Sequence, residues 1–222
     1  MALTIFDLDN TLLAGDSDYL WGAFLVERGI VDREEFARAN ERFYREYEAG
    51  NMDIFEFSRF SFCLLRDNWP EDLERWRRDF LHEKIEPIIL PLACELVERH
   101  RAAGDTLLIA TATNQFVAAP IAERLGVPNL IATIPEQVNG RYTGEVAGIP
   151  AYQAGKVERL LDWLEETAAG LAGSTFYSDS HNDIPLLERV EHPVATDPDD
   201  RLRRHAHDRG WPIISLRGQS SP

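Results

Sequence analysis

The chain has 222 residues, 44% of them hydrophobic, and a formal net charge of -15. This length suits one core domain with a modest insertion, and the apolar content excludes a disordered chain. The negative charge repels nucleic acid, opposed only by a short basic run near the C-terminus, and favours metal cations and amine-bearing ligands.

Leu3-Thr4-Ile5-Phe6 is a brief apolar run, expected as a strand buried on both faces and ending at Asp7. From Ser17 to Lys84 helix follows helix. Asp32-Arg33-Glu34-Glu35 is a capping-box pattern opening a helix towards Ala49. Asp53-Ile54-Phe55-Glu56 repeats it after a break at Gly50-Asn51. Phe36, Phe43 and Tyr47, then Phe57, Phe60 and Leu64, recur at helical spacing, which predicts a small inserted bundle.

The remainder alternates. Helices are expected over 91–103, 115–125, 155–166, 184–190 and 199–209. Strands are expected over 106–110, 130–133, 175–178, 193–196 and near Ile213, with Gly140 turning between two short polar strands. Alternation of this kind predicts an α/β fold, a doubly wound parallel sheet with the helical bundle inserted after its first strand. Ligands of such sheets bind beyond the carboxyl ends of the strands.

Four features fall at those ends. The first strand runs into Asp7-Leu8-Asp9-Asn10-Thr11. The next alternating strand ends at Thr111, beside Ala112, where a hydroxyl and backbone amides can bind a phosphate oxygen or simply cap a helix. Lys156 follows Gly155 at a helix start, an unfavourable place for a cation and otherwise a solvated surface position. A later strand ends in Ser178-Asp179-Ser180-His181-Asn182-Asp183, where Asp183 is also placed to cap the next helix. Two acidic pairs, a hydroxyl and a lysine would then meet at one sheet edge. Carboxylates gathered this closely repel unless a cation joins them, and oxygen ligands suit Mg²⁺.

This pattern resembles the haloacid dehalogenase superfamily, in particular its phosphoserine-phosphatase-like branch with a helical cap. Asp7-Leu8-Asp9-Asn10-Thr11 matches the first motif, Thr111 the second, Lys156 the third, and Asp179 with Asp183 the fourth, in the family's order. Ser178 stands where many members have glycine, a departure expected to be tolerated. Within the branch, the strings FDLDNTLLAGDSD, TATN and YSDS-x-ND are similar to those of bacterial histidinol-phosphate phosphatases. The acidic substrate-binding residue of phosphoserine phosphatases corresponds to Asp16. Their cap arginine has no matching position, since Arg59 and Arg66 lie out of register.

The resemblance implies a core of residues 1–15 and 85–222 with a cap of residues 16–84. It implies a magnesium-dependent phosphomonoesterase in which Asp7 is the nucleophile and Asp9 the general acid and base. Thr111, Ala112 and Lys156 would hold phosphoryl oxygens, and Asn182 would touch the phosphate or the leaving group. Asp7, the Asp9 carbonyl and Asp179 would hold the metal, with Asp183 behind them. A small phosphomonoester is the expected substrate, histidinol phosphate first and phosphoserine or another amine-bearing ester as the alternative. Asp16 and Asp18 would attract the amine unless Asp16 or Ser17 merely caps a helix. Tyr19, Trp21 and Phe24 either line the pocket or pack in the core. His181 is expected at a pocket edge rather than as a ligand. A non-catalytic phosphate or metal sensor is a reading of a different class. It would need neither the inserted helices nor an acid at Asp9. Transfer of the phosphoryl group to an alcohol instead of water stays open.

Cys63 and Cys94 are too few for a disulfide framework and are expected as buried packing in a reduced, cytoplasmic protein. No basic segment precedes Asp7, so no signal peptide is expected. No apolar run approaches the ~20 residues of a membrane span. The run from Arg201 to Arg209 is expected as a solvated helical face, and 218–222 as a loose tail. The oligomeric state is left open.

Overall fold

A computed structural model describes residues 2–218, the side chain of Glu35 excepted. A six-stranded sheet of order β3-β2-β1-β6-β7-β8 forms the centre, and all its pairings are parallel. Its strands are β1 (Leu3–Phe6), β2 (Thr106–Asn114), β3 (Asn129–Thr133), β6 (Thr175–Ser178), β7 (His192–Thr196) and β8 (Ile213–Ile214). Between them β4 (Pro135–Val138) and β5 (Arg141–Val146) form an antiparallel hairpin about Asn139-Gly140, both at positive φ. The chain builds one half of the sheet outward from β1, then crosses back to β6. The order reverses at β1, where such sheets open a crevice at their carboxyl edge.

Side chains alternate across the sheet with period two. Phe6, Leu107, Ile109, Tyr177 and Val194 share one core with α5 (Pro91–Ala102), α6 (Gln115–Arg124) and the inserted helices. Ile5, Leu108, Ala110, Phe176 and Ala195 share the other with α7 (Ala154–Thr167), α8 (Ile184–Leu187) and α9 (Asp200–Arg209).

The inserted segment is four helices: α1 (Ser17–Glu27), α2 (Arg33–Ala49), α3 (Ile54–Asp67) and α4 (Pro70–Phe80), the last running into a π turn at Leu81–Ile85. Asp53 caps α3 by accepting from the Phe55 and Glu56 amides. Glu56 does not reach back as a capping box would; it pairs with Arg42 at 2.8 Å. Asp32 accepts from the Glu34 amide at 3.0 Å, and the Glu35 half of that box lies outside the described residues. Where the chain leaves and rejoins the sheet, its two crossings pair: Ala14 N–H donates to the Ile88 carbonyl and Leu90 N–H to that of Leu12. Phe43 and Met52 of this segment pack on Tyr152 of the loop before α7.

Several expectations are corrected. β2 continues through Thr111 to Asn114, so the helix cap is Asn114, whose side chain accepts from the Val117 amide, and not Thr111. The helix expected over 184–190 is one turn, α8, preceded by a 3-10 turn at His181–Asp183. Trp21 and Phe24 take the core alternative, 2% and 0% exposed and stacked on each other, while Tyr19 lines the pocket. Cys63 is half-buried and Cys94 exposed, because α5 turns Ala93, Leu96 and Val97 inward and leaves Cys94 on its outer side. The α9 basic run is not wholly solvated: Leu202 and Ala206 are buried, and Arg201 donates to the Ala49 carbonyl at 2.9 Å. Of the tail, residues 219–222 lie outside the described residues. No described helix is long and apolar enough to cross a membrane.

Candidate active site

Strand geometry brings the distant motifs together. Asp7 continues β1, its N–H donating to the Tyr177 carbonyl of β6 at 2.9 Å, which places its carboxylate at the carboxyl edge. Lys156 sits in the first turn of α7, only 3% exposed. Gly155 allows this, because a Cβ there would meet the Pro150 carbonyl oxygen at 2.2 Å. The lysine Nζ donates to Asp7 Oδ1 at 3.0 Å and to Asp183 Oδ1 at 2.6 Å. It is therefore no surface lysine but the ammonium between two buried carboxylates. Asp183 is not used as a side-chain cap. Its second oxygen accepts from the Ser178 hydroxyl at 2.7 Å, so the serine at the glycine position is employed rather than merely tolerated.

Asp9 is held on three sides. The Ser17 amide donates to one oxygen at 2.6 Å. The Thr113 and Thr111 hydroxyls donate to the other at 2.6 and 3.3 Å. Asp179 exchanges two hydrogen bonds with Thr11, whose hydroxyl donates to its carboxylate and accepts from its amide. Asn10, between Asp9 and Thr11, takes φ +55, a conformation asparagine tolerates well.

Asp7 and Asp183 thus share one lysine, and Asp9 and Asp179 lie near enough to Asp7 to interact with its charge. Burial pushes the Asp7 carboxyl up from 3.8 to about 8, with Asp183 and Asp9 adding to the rise and Lys156 opposing it. Burial, then Asp7 and Asp183, push Asp179 well above its ordinary value. An excess of buried carboxylate with only oxygen donors is the environment a hard divalent cation fits. Among the described residues no group of three or more His, Cys, Asp or Glu side chains forms a cage for an ion.

Next to this cluster lies a cavity lined by Asp7, Asp9, Thr111, Ala112, Asp16 and Asp18, and walled by aromatic residues of the inserted helices. Asp16 caps α1 by accepting from the Tyr19 amide at 2.8 Å and still lines the cavity. Asp18 accepts from Asn114 Nδ2 at 2.8 Å. Burial first, and Asp9 second, push Asp18 up to about 7 and Asp16 well above its ordinary value. Among the described residues no arginine, lysine or histidine lines it; Arg66 is spent on Asp67 at 2.7 Å.

Asn182 is placed elsewhere than expected. It is buried outside that cavity, its amide donating to the Tyr47 carbonyl at 3.1 Å and its oxygen accepting from Gln153 at 2.9 Å. His181 lies 2.7 Å from Asp199 at the edge of a second cavity, which Asp179 also lines. Residues missed from the sequence are Thr113, Asn40, Tyr44, Tyr47 and Met52. For Thr113 a signal exists, since it stands two positions from Thr111 and so shares its face of the strand. Asn40, Tyr44 and Tyr47 look like ordinary positions of α2, and Met52 like a linker residue after it.

This fold and this cluster define an enzyme of the phosphatase class. The chain belongs to the haloacid dehalogenase-like hydrolase family, whose profile matches residues 4–188. It is 42% identical to a histidinol-phosphatase of Neisseria meningitidis serogroup C over 97% of this chain and 99% of that one. It is 32% identical to a phosphoserine phosphatase of Mycobacterium tuberculosis, over 97% of this chain and 71% of that one. A solved structure of a Bordetella pertussis protein of unknown function is similar, with a TM-score of 0.91 and 43% identity over 97% of this chain and 98% of that one. A substrate-bound phosphoserine phosphatase shares the fold, with a TM-score of 0.70 at 19% identity over 97% of this chain and 92% of that one.

Proposed function

We propose that the chain is a magnesium-dependent phosphomonoesterase acting through Asp7 and that histidinol phosphate is its substrate. One observation carries the choice of substrate: among the described residues, the cavity beside Asp7 is lined by Asp16, Asp18 and aromatic faces and by no cationic side chain. An ester with an ammonium and a flat ring suits those walls. The carboxylate of phosphoserine would meet two aspartates there and no guanidinium. The Neisseria relative supports the same reading.

In this reading Asp7 attacks phosphorus in line, the P–O bond to the leaving alcohol breaks, and an aspartyl-phosphate forms. Asp9 gives its proton to the leaving oxygen, then takes one from the water that hydrolyses the acyl phosphate. The Ser17 amide and Thr113 hydroxyl keep its carboxyl oriented for both transfers. Lys156 holds Asp7 in line and, with Thr111, faces the phosphoryl oxygens. Asp183 orients Lys156. Asp7, the Asp9 carbonyl and Asp179 would hold Mg²⁺, which supplies positive charge against the repulsion of carboxylate and phosphate. Residues 16–84 act as the cap that excludes water from the cavity.

The substrate is tested by comparing kcat/KM for histidinol phosphate, phosphoserine and an amine-free alkyl phosphate. Preference for histidinol phosphate of about tenfold or more, on the scale of one charge-assisted contact, is expected. Equal or better turnover of phosphoserine would remove the assignment.

The acid cluster also sets a pH dependence. Carboxyls whose folded values stand above the unfolded 3.8 stabilise the folded chain most at low pH, and that stability is lost as pH rises through about 8. The Tm of the metal-free protein is therefore expected to fall between pH 5 and pH 8. Magnesium is expected to raise Tm more at pH 8 than at pH 5, because it binds the deprotonated carboxylates. A thermal scan at both values, with and without the ion, checks this; a larger magnesium shift at pH 5 contradicts it.

A further inference from the structure

The cap meets the catalytic edge through the end of α2. Three side chains of the core donate to three carbonyls there: Asn182 Nδ2 to Tyr47 at 3.1 Å, Arg201 Nη1 to Ala49 at 2.9 Å, and Gln153 Nε2 to Gly50 at 3.2 Å. Gln153 and Asn182 are themselves hydrogen-bonded, and the Tyr152 hydroxyl donates to the same Asn182 oxygen. The Tyr47 ring packs 6.0 Å from that of Tyr152. Tyr47 is thereby fixed at its backbone and on one ring face by residues that flank Lys156 and Asp183 in the chain.

Its hydroxyl is differently placed. Tyr47 and Tyr44 are the two residues that line both cavities, the one holding Asp7 and the one holding Asp179. The Tyr44 hydroxyl is engaged by Glu48. The Tyr47 hydroxyl has no hydrogen-bond partner among the described residues. Tyr47 is half-buried, and an ordinary phenol is protonated at neutral pH, so its hydroxyl can act as a donor.

Donors are what this site is short of. Lys156 contacts Asp7 and Asp183 and has one N–H left for a phosphoryl oxygen, and the Thr111 hydroxyl must turn from Asp9 to supply another. A phosphoryl group carries only acceptor oxygens away from the metal. Resting on the reading of Asp7 as the nucleophile, we infer that Tyr47 is a substrate-contacting residue. Its hydroxyl donates to a non-bridging phosphoryl oxygen, and the Asn182, Gln153 and Arg201 contacts hold it in reach when the cap is closed. The cap would then contribute to the transferring group itself and not only to the organic part of the ester.

The test is Tyr47→Phe, which keeps the ring on Tyr152 and removes only the hydroxyl. Calorimetric titration of the magnesium-loaded protein with inorganic phosphate is expected to give a Kd about tenfold weaker than wild type, the scale of one hydrogen bond to a charged group. Tm is expected to be unchanged. Inorganic phosphate reads the phosphoryl position whatever the organic group of the natural ester. A Kd within twofold of wild type overturns the role of Tyr47 and leaves the Asp7 reading standing. Wild-type protein that binds no phosphate overturns both.

Discussion

Lys156→Met is expected both to remove activity and to destabilise the fold by about 3–5 kcal/mol, the cost of breaking a buried ion pair by deleting one partner. The lysine is 3% exposed, and its two partners are as deeply buried. Methionine has similar length and can fill the channel beside Gly155, so packing is largely kept and the loss is electrostatic. Asp7 and Asp183 would then face each other and Asp179 with no ammonium among them. A folded domain is stable by only ~5–15 kcal/mol, so the variant should unfold at markedly lower denaturant concentration. Adding magnesium should recover part of the loss, since the ion neutralises the same carboxylates. Chemical denaturation of the variant with and without the ion measures this. A midpoint equal to wild type would mean that the carboxylates do not depend on Lys156.

Asp7→Asn is expected to lose activity as well, but to keep the fold. Turnover should fall by about 10⁴-fold or more, the scale seen when a nucleophile is removed from a machinery that acts as a unit. An amide is too weak a nucleophile to form the acyl phosphate. The fold should survive, because burial already opposes a charge at Asp7 and Lys156 keeps Asp183 as a partner. Circular dichroism and Tm beside kcat separate the two effects. Full activity in a folded Asp7→Asn protein would sink the mechanism.

The contrast between these residues follows from where each motif ends in the fold. Asp7 and Asp179 were placed from the sequence because an apolar run followed by a polar residue marks the carboxyl end of a strand; Thr111, Lys156 and Asp183 were placed by their spacing from such runs, Lys156 at the start of the helix after Gly155. A doubly wound sheet necessarily gathers those ends. What stayed hidden depends on long-range contact. Asn182 looks like a site residue by its neighbours, yet its amide is committed to a carbonyl 135 residues away in the chain. Trp21 and Tyr19 differ by two positions in one helix, and only packing against Phe80 and Phe116 decides that the first is core. The extension of β2 to Asn114 was masked by its polar residues, which a central strand tolerates here because Thr111 and Thr113 both donate to Asp9. Tyr47 was hidden by regularity: an aromatic at helical spacing reads as core until the cavity on its far side is seen.

The central claim is that the phosphoryl group passes through Asp7, and trapping it tests that most directly. Protein mixed with a ³²P-labelled ester and magnesium, then quenched in acid within one turnover, should carry label that hydroxylamine releases. Peptide mapping should place it on the segment containing Asp7, and Asp7→Asn should carry none. Full phosphate release by a protein that never becomes labelled, or label retained in Asp7→Asn, would contradict the account.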